Sequence, residues 1–307
     1  MKGICVKPSV ILNPFAGWHF ARESMAARYL KTLSSGVMLS TTIQAPPKAG
    51  LTSFLINDVL TSAANEKFVT VYVDLSDPQV PVTAAVMHAL ERVLAGSSAI
   101  HSGFNLFKGL FQSKAVDVCS KDKYVHKLEI VDKQHFLDCK DKHLAMIEQY
   151  FKKMLAYKSM LVVVDHADQL NSDALGLMFC EYFKELITKN AQAIRPLYAS
   201  SNKEAWSGVF ENRHSALYSE GAFVHKLPAL GKNFVRDAVM RSGLNVSMDE
   251  ALTCYEMAGE RPGIFTAMLL GWDPLGNSAI TSYFHEQLFP PVRKPAVALR
   301  ALHPHIK

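Results

Sequence analysis

Along the 307-residue chain, apolar positions switch repeatedly between near-continuous runs and a helical period. The segment "VMLSTTIQ" (37–44) is rich in β-formers and runs into the Pro/Gly loop "APPKAG". "TSFLINDVLTSAA" (52–64) predicts a helix with Phe54, Leu55, Val59 and Leu60 on one side. "FVTVYVDL" (68–75) is β-branched and aromatic throughout, as a strand buried on both faces would be. A turn at "SDPQVP" leads to the helical "VTAAVMHALERVLAG", which ends at Gly96. Residues 97–140 are less regular: "GFNLFKGLF" has amphipathic helical spacing, and "KYVHKLEIV" reads as a short strand. "DKHLAMIEQYFKKMLAYK" then predicts an amphipathic helix, and "SMLVVVDHADQL" (159–170) a buried strand ending at Asp165. A helix over "ALGLMFCEYFKELITKN" precedes the strand "IRPLYASSN" (194–202), which closes on a polar loop.

This alternation implies an α/β fold with a mainly parallel sheet covered on both faces. Ligands on such sheets sit beyond the carboxyl ends of the strands. Gln44, Asp165 and Asn202 lie at those ends and are expected to converge on one crevice. Beyond about Leu230 the strands stop, and "KNFVRDAVMRSG", "SMDEALTCYEMAG" and "GIFTAMLLGW" are helical. The expected organisation is an α/β domain over 1–230, a small helical lid over 231–289 and a tail over 290–307. No internal repeat or low-complexity segment interrupts it.

Composition narrows the class. About half of the residues are apolar and a fifth charged, the balance of a soluble globular protein. No apolar run is long enough to cross a bilayer, and the amino terminus lacks the pattern of a signal peptide. The five cysteines (Cys5, Cys119, Cys139, Cys180, Cys254) contain no C-x-x-C pair, which suits reduced thiols in a cytoplasmic protein. The tail carries Arg293, Lys294, Arg300 and Lys307 without an acid; removing those four charges from the net +5 leaves +1 for the body. The tail is thus the basic element, and nucleic-acid binding is expected there if anywhere.

The loop carries the candidate chemistry. A phosphate-binding loop reads G-x-x-x-x-G-K-[ST] between a strand and a helix. Here the stretch is Ala45-Pro46-Pro47-Lys48-Ala49-Gly50-Leu51-Thr52, in that context. Gly50 can turn backbone N–H groups toward a phosphate, the following helix start favours an anion, and Thr52 offers a hydroxyl to Mg²⁺. Leu51 replaces the lysine that meets the β- and γ-phosphates, a loss worth several kcal/mol of transition-state stabilisation. Lys48 either swings inward to compensate or points into water from the loop tip. Turn chemistry alone also produces "PPKAG".

In "LVVVDHAD", apolar strand residues deliver Asp165 where P-loop enzymes place a carboxylate on Mg²⁺. The next position, a glutamate in active enzymes, is His166. An imidazole can act as a base, but its geometry differs from a carboxylate's, and a histidine satisfied by nearby backbone is the ordinary alternative. Asp168 either rescues the chemistry or is a helix N-terminal acid. Both altered positions, Leu51 and His166, point toward lost hydrolysis.

At these residues the chain resembles the AAA+-like and STAND-like P-loop ATPases, particularly the archaeal-type ATPase family, over about residues 13–271. "NPFAGWHFARESMAARYLKTL" looks like that family's opening box, with its arginine–glutamate pair displaced to Arg22 and Glu23. "VTVYVDLSD" resembles the strand after the P-loop helix, and "YASSN" the sensor-1 strand, with Ser201 or Asn202 as γ-phosphate sensors. "NRHSALYSEGAFVHKLPAL" resembles the entry to the lid, and "AGERPGIFTAML" a lid helix. The resemblance implies an AAA+/ASCE-like parallel-sheet core followed by a small helical lid. It also implies ATP or ADP with Mg²⁺ at Lys48, Gly50, Thr52, Asp165, Asn202 and Arg261, the metal being held by Thr52 and Asp165. Departures fall at Leu51, His166, residues 219–221 and Glu260.

The remaining candidates keep two readings each. Arg213 is either an arginine finger in an oligomer or a surface loop contact; Arg261 is either a lid arginine on phosphate or a helix-start residue. No H-E-x-x-H or G-x-S-x-G pattern supports metal catalysis or a serine nucleophile. Met154, Met160 and Met178 read as core or partner surface, as does the Phe-rich stretch at 104–111, whose "FNLFKGLF" also suits a partner-binding helix.

Three functions follow as expectations. The first is a catalytically degenerate P-loop protein, with nucleotide or no cofactor, acting as a scaffold or regulatory adaptor with protein partners or further copies of itself. The second is a slow ATP-dependent switch in a DNA-associated or defence process. The third is a nucleic-acid binder working through its tail; no membrane partner is expected.

Overall fold

In the computed structural model of the chain, the described residues are 15–66, 68–98, 140–155, 159–172, 174–191, 193–218, 220 and 224–271. The basic tail, the Phe-rich stretch at 104–111, the "KYVHKLEIV" segment and positions 219 and 221 lie outside them. The chain divides into two compact units, one of Gly17–Ala229 and a second whose described part is 15–16 and 230–271.

The first unit opens with helix α1 (Glu23–Ser34), whose Ala26, Tyr29, Leu30 and Leu33 recur at helical spacing and are buried. Strand β1 (Thr41–Gln44) follows. It is shorter than the apolar run suggested: Val37 and Leu39, ahead of it, are exposed and pair with nothing in the sheet. After the loop, α2 (Leu51–Phe54), a π-helical segment (Leu55–Val59) and α3 (Leu60–Asn65) form one helical run, with Phe54, Leu55, Val59 and Leu60 all buried as their spacing predicts. Next come β2 (Val69–Asp74), α4 (Val82–Ser98) and α5 (Lys140–Leu155). Strand β3 (Met160–Asp165) leads through a 3-10 turn (Ala167–Asn171) to α6 (Ala174–Lys189). Strand β4 (Ile194–Ser200), α7 (Lys203–Trp206) with a second π-helical segment (Ser207–Glu211), and β5 (Val224–Lys226) complete the unit.

The sheet runs β2-β3-β4-β1-β5, with every pairing parallel. The connection from β1 travels to the far edge at β2, whereas β2, β3 and β4 each return in the opposite direction. Right-handed crossovers therefore place their helices on opposite faces. The core divides accordingly. Met160, Val162 and Val164 of β3 pack with residues of α4, α5 and α6, while Leu161 and Val163 between them pack with α1, α2 and α3. β3 is buried at every position, so its apolar character is continuous instead of alternating. The reversal of direction puts a topological switch beside the carboxyl end of β1, where such sheets bind ligands.

The described part of the second unit has three helices, α8 (Lys232–Ser242), α9 (Met248–Met257) and α10 (Pro262–Leu270). Phe234, Tyr255 and Phe265, one from each, pack ring against ring at 5.3–6.1 Å between centroids. Helix α8 stops at Gly243, whose left-handed φ of 70° only glycine adopts without strain. Ser247 and Glu250 close a reciprocal capping box at the start of α9. No helix among the described residues is long and apolar enough to cross a membrane.

Candidate functional site

The loop between β1 and α2 leaves the sheet at Ala45, whose N–H donates to the carbonyl of Ser200 on β4 at 3.1 Å. It turns at Lys48 and Gly50, which hold left-handed φ values of 68° and 84°. Glycine takes this conformation freely, whereas lysine does so at a cost of about 1 kcal/mol. Helical hydrogen bonding begins at once, with the N–H of Phe54 donating to Gly50 O at 2.9 Å. The next side chain, Leu51, is only 6% exposed and belongs to the apolar cluster under α1. Leucine at this position is therefore core, worth about 1.5–3 kcal/mol of burial, and presents nothing to a phosphate. Lys48 stands exposed at the crest and makes no hydrogen bond or ion pair among the described residues.

Asp165 closes β3 and is 2% exposed. Its carboxylate accepts from Thr52 Oγ1 at 2.7 Å and from Tyr72 OH at 3.0 Å, both on Oδ2, and from the His166 N–H at 2.9 Å on Oδ1. Thr52 and Asp165, paired in the sequence reading as a Mg²⁺ site, are thus in direct contact. Tyr72 is a third member that its strand pattern did not single out; from the sequence it read only as a strand residue. Burial, reinforced by the charges of Asp165 and Asp74, pushes its phenol far above the ordinary range, so it stays protonated and donating. A hydroxyl and a carboxylate at this spacing are hard oxygen donors of the kind Mg²⁺ takes.

His166, where a glutamate would serve as base, holds a left-handed φ of 55° at the exit of the strand. Its backbone N–H donates to Asp165, while its half-buried ring makes no hydrogen bond among the described residues. Asp168 sits in the first turn of the 3-10 helix, as its helix-start reading has it, and is buried there. It is 4% exposed and accepts from Ser200 Oγ and from Gln169 Nε2 at 3.2 Å, tying the ends of β3 and β4 together. Asp74, in register with Asp165 on β2, accepts from the N–H of Ser76 within its own turn at 2.9 Å.

The other candidates are placed as follows. Gln44 is the last residue of β1, in register with Ser200 and Lys226. Asn202 caps α7, its side chain accepting from the Ala205 N–H at 3.2 Å, while its own N–H donates to Ser200 Oγ at 3.0 Å. Arg213 is exposed in a turn and makes no ion pair among the described residues. Arg261, in the second unit, is the N-cap residue of α10; its Nε donates to Ala258 O at 3.0 Å, within its own turn.

Two residues beside the loop were not singled out for the site. Arg22, named only as half of a displaced sequence pair, donates from Nη2 to Ala49 O at 3.2 Å. His19 bonds Ser53 Oγ through Nδ1 at 2.8 Å and Asp58 Oδ2 through Nε2 at 2.9 Å. Asp58 is 2% exposed and lies in the π-helical segment. The only sequence signal was a buried-phase acid inside an apolar helix, which needs a partner.

No protein-family model matches the chain, and no curated protein sequence matches it. Solved structures do. A Walker-type ATPase of Pyrococcus abyssi superposes with a TM-score of 0.53 at 14% identity, over 88% of this chain and 72% of that one. An Aeropyrum pernix ORC2 protein, in ADPNP–ADP complexes, gives 0.49 at 14% identity over 90% and 72%. DnaA from Aquifex aeolicus, bound to AMPPCP, gives 0.45 at 11% over 91% and 71%. With its all-parallel five-stranded sheet and the loop at the topological switch, the chain has an α/β P-loop fold like that of the Walker-type ATPase, followed in sequence by a small helical unit.

Proposed function

We propose that this chain is a nucleotide-binding P-loop protein that has lost hydrolysis and works as a scaffold or regulatory adaptor within a multiprotein assembly. One observation carries the reading: Thr52 and Asp165 remain in contact at 2.7 Å while Leu51, at the clamp position, is packed into the core. The pair supports Mg²⁺–ATP or Mg²⁺–ADP binding, with Gly50 shaping the loop. Thr52 and Asp165 would hold the metal, whose positive charge would be set against that of the phosphates. The residues that would drive turnover are missing or turned away: Leu51 offers no cation, His166 no carboxylate, and Asp168 and Asp74 are committed to local hydrogen bonds.

In this reading residues 1–230 form the nucleotide domain, 231–289 a helical lid that carries Arg261, and 290–307 a basic tail. Asn202 would sense the terminal phosphate, and Arg213 would reach a neighbouring copy. The working contacts are with protein, and nucleic acid would meet the tail. The intact Thr52–Asp165 pair also favours a second reading, a slow ATP-dependent switch in a DNA-associated or defence process. Phosphate release from ATP by purified protein separates the two. The adaptor reading expects no turnover above the Asp165→Ala control; sustained hydrolysis abolished by Asp165→Ala would replace it with the switch.

A further inference from the structure

With Leu51 in the core, some other group must meet the negative charge of a phosphate chain in this loop. We propose that Arg22, not Lys48, supplies that cation. The inference rests on the nucleotide-site reading above and assigns its charge-bearing residue.

Arg22 lies 27 positions before Ala49 yet its guanidinium is on the loop. Nη2 donates to the Ala49 carbonyl at 3.2 Å, and Nη1 is 3.6 Å from where a Cβ on Gly50 would stand. The segment that carries it is pinned close by. Three residues upstream, His19 bonds both Ser53 and Asp58 on the helical run that begins at the loop. One residue downstream, α1 begins and buries Ala26, Tyr29 and Leu30 against that same run. The charge is therefore placed before any ligand arrives, and the ordering cost of a long side chain is already met by folding.

Lys48 lacks that support: it stands exposed at the crest, and bringing it inward would require freezing its whole side chain. Arginine also suits the task chemically. Its planar fork of five N–H donors can serve a loop carbonyl and anionic oxygens together, and it binds phosphate bidentately.

The test is a titration of full-length protein with a fluorescent ATP analogue, competed with ATP, ADP and AMP. Arg22→Ala and Arg22→Gln should each weaken ATP and ADP by about tenfold or more, with a smaller loss for AMP. Arg22→Lys should recover part of the loss, and Lys48→Ala should stay within about twofold of the parent protein. Glutamine can keep the hydrogen bond to Ala49 but carries no charge, so it separates a cation from a loop brace. Parental affinity in Arg22→Gln, or loss confined to Lys48→Ala, would overturn the assignment while leaving the nucleotide site standing. Absence of binding by the parent protein would overturn both.

Discussion

Thr52 Oγ1 donates to Asp165 Oδ2 at 2.7 Å, joining residues 113 positions apart at the start of one helix and the end of one strand. The contact exists because β1 and β3 flank β4 in a parallel sheet, and both run their carboxyl ends to the same edge. A loop leaving β1 there meets the carboxylate ending β3. The pair is thus a product of topology as much as of motif.

Removing either partner should separate folding from binding. Asp165→Ala leaves the hydroxyls of Thr52 and Tyr72 without their shared acceptor, and is expected to cost about 2–4 kcal/mol in urea unfolding. Thr52→Val keeps the shape and should cost about 1 kcal/mol, while reducing Mg²⁺-dependent nucleotide binding at least as much as Asp165→Asn does. Thr52→Val binding that matches the parent protein in Mg²⁺ would remove the hydroxyl from the site.

Placing at Leu51 and His166 the charges that active P-loop enzymes carry there should show what Leu51 does. Leu51→Lys puts an ammonium into an apolar cluster, and in the absence of nucleotide it is expected to destabilise the protein by about 1–3 kcal/mol. Alone it should not produce turnover, because His166 still provides no carboxylate. Leu51→Lys combined with His166→Glu should release phosphate from ATP measurably faster than either single variant. Equal rates in all of them would show that further positions block the chemistry.

Gly176 should tolerate no side chain. A Cβ there would come within 2.2 Å of the Leu170 carbonyl oxygen, which belongs to the 3-10 turn following Asp165. Backbone cannot yield as a flexible side chain does, so Gly176→Ala is expected to cost about 3 kcal/mol and to lower the unfolding midpoint clearly. Gly231→Ala, with nothing near its Cβ and no left-handed φ, is the milder control: as the N-cap of α8 it should cost no more than about 1 kcal/mol.

In the helical unit, the capping box predicts a pH-dependent effect. Hydrogen bonds from the Ser247 hydroxyl and backbone N–H hold the Glu250 carboxyl below its ordinary range. A carboxyl depressed in the folded state contributes stability that is fully present above its unfolded pKa. That contribution is lost as pH falls through the lower, folded value. Ser247→Ala should therefore destabilise the helical unit near neutral pH, and do so less in acid where Glu250 is protonated in both proteins. A difference between the proteins that stays constant with pH would contradict the box.

Much of the architecture was legible because strand burial is written in composition. β3 and β4 are buried at every position, as their runs suggest, and the buried face of the post-loop helix is the set its spacing picked out. β2 is a strand where its composition puts it, but its expected burial on both faces fails: it is an edge strand, buried only at Val71 and Val73. β5 was not legible: its three residues alternate exposed, half-buried and exposed, and only pairing with β1 makes them a strand. Nor was the π-helical segment, since no local residue pattern announces a change of hydrogen-bond register. In the site, Thr52 and Asp165 could be named from motif context because each closes or opens a regular element. Arg22 and His19 could not be placed on the loop, because their contacts depend on how α1 packs against the run after it. Asp168 was legible as a helix-start acid, but its bond from Ser200 was not, because a neighbouring strand brings that hydroxyl to it.

The most direct test of the account is a titration of purified protein with a fluorescent ATP analogue, with and without Mg²⁺, read alongside phosphate release. The account predicts micromolar binding that strengthens with Mg²⁺, weakens in Asp165→Asn, and proceeds without turnover. No binding up to millimolar nucleotide would contradict it, leaving the loop as architecture alone.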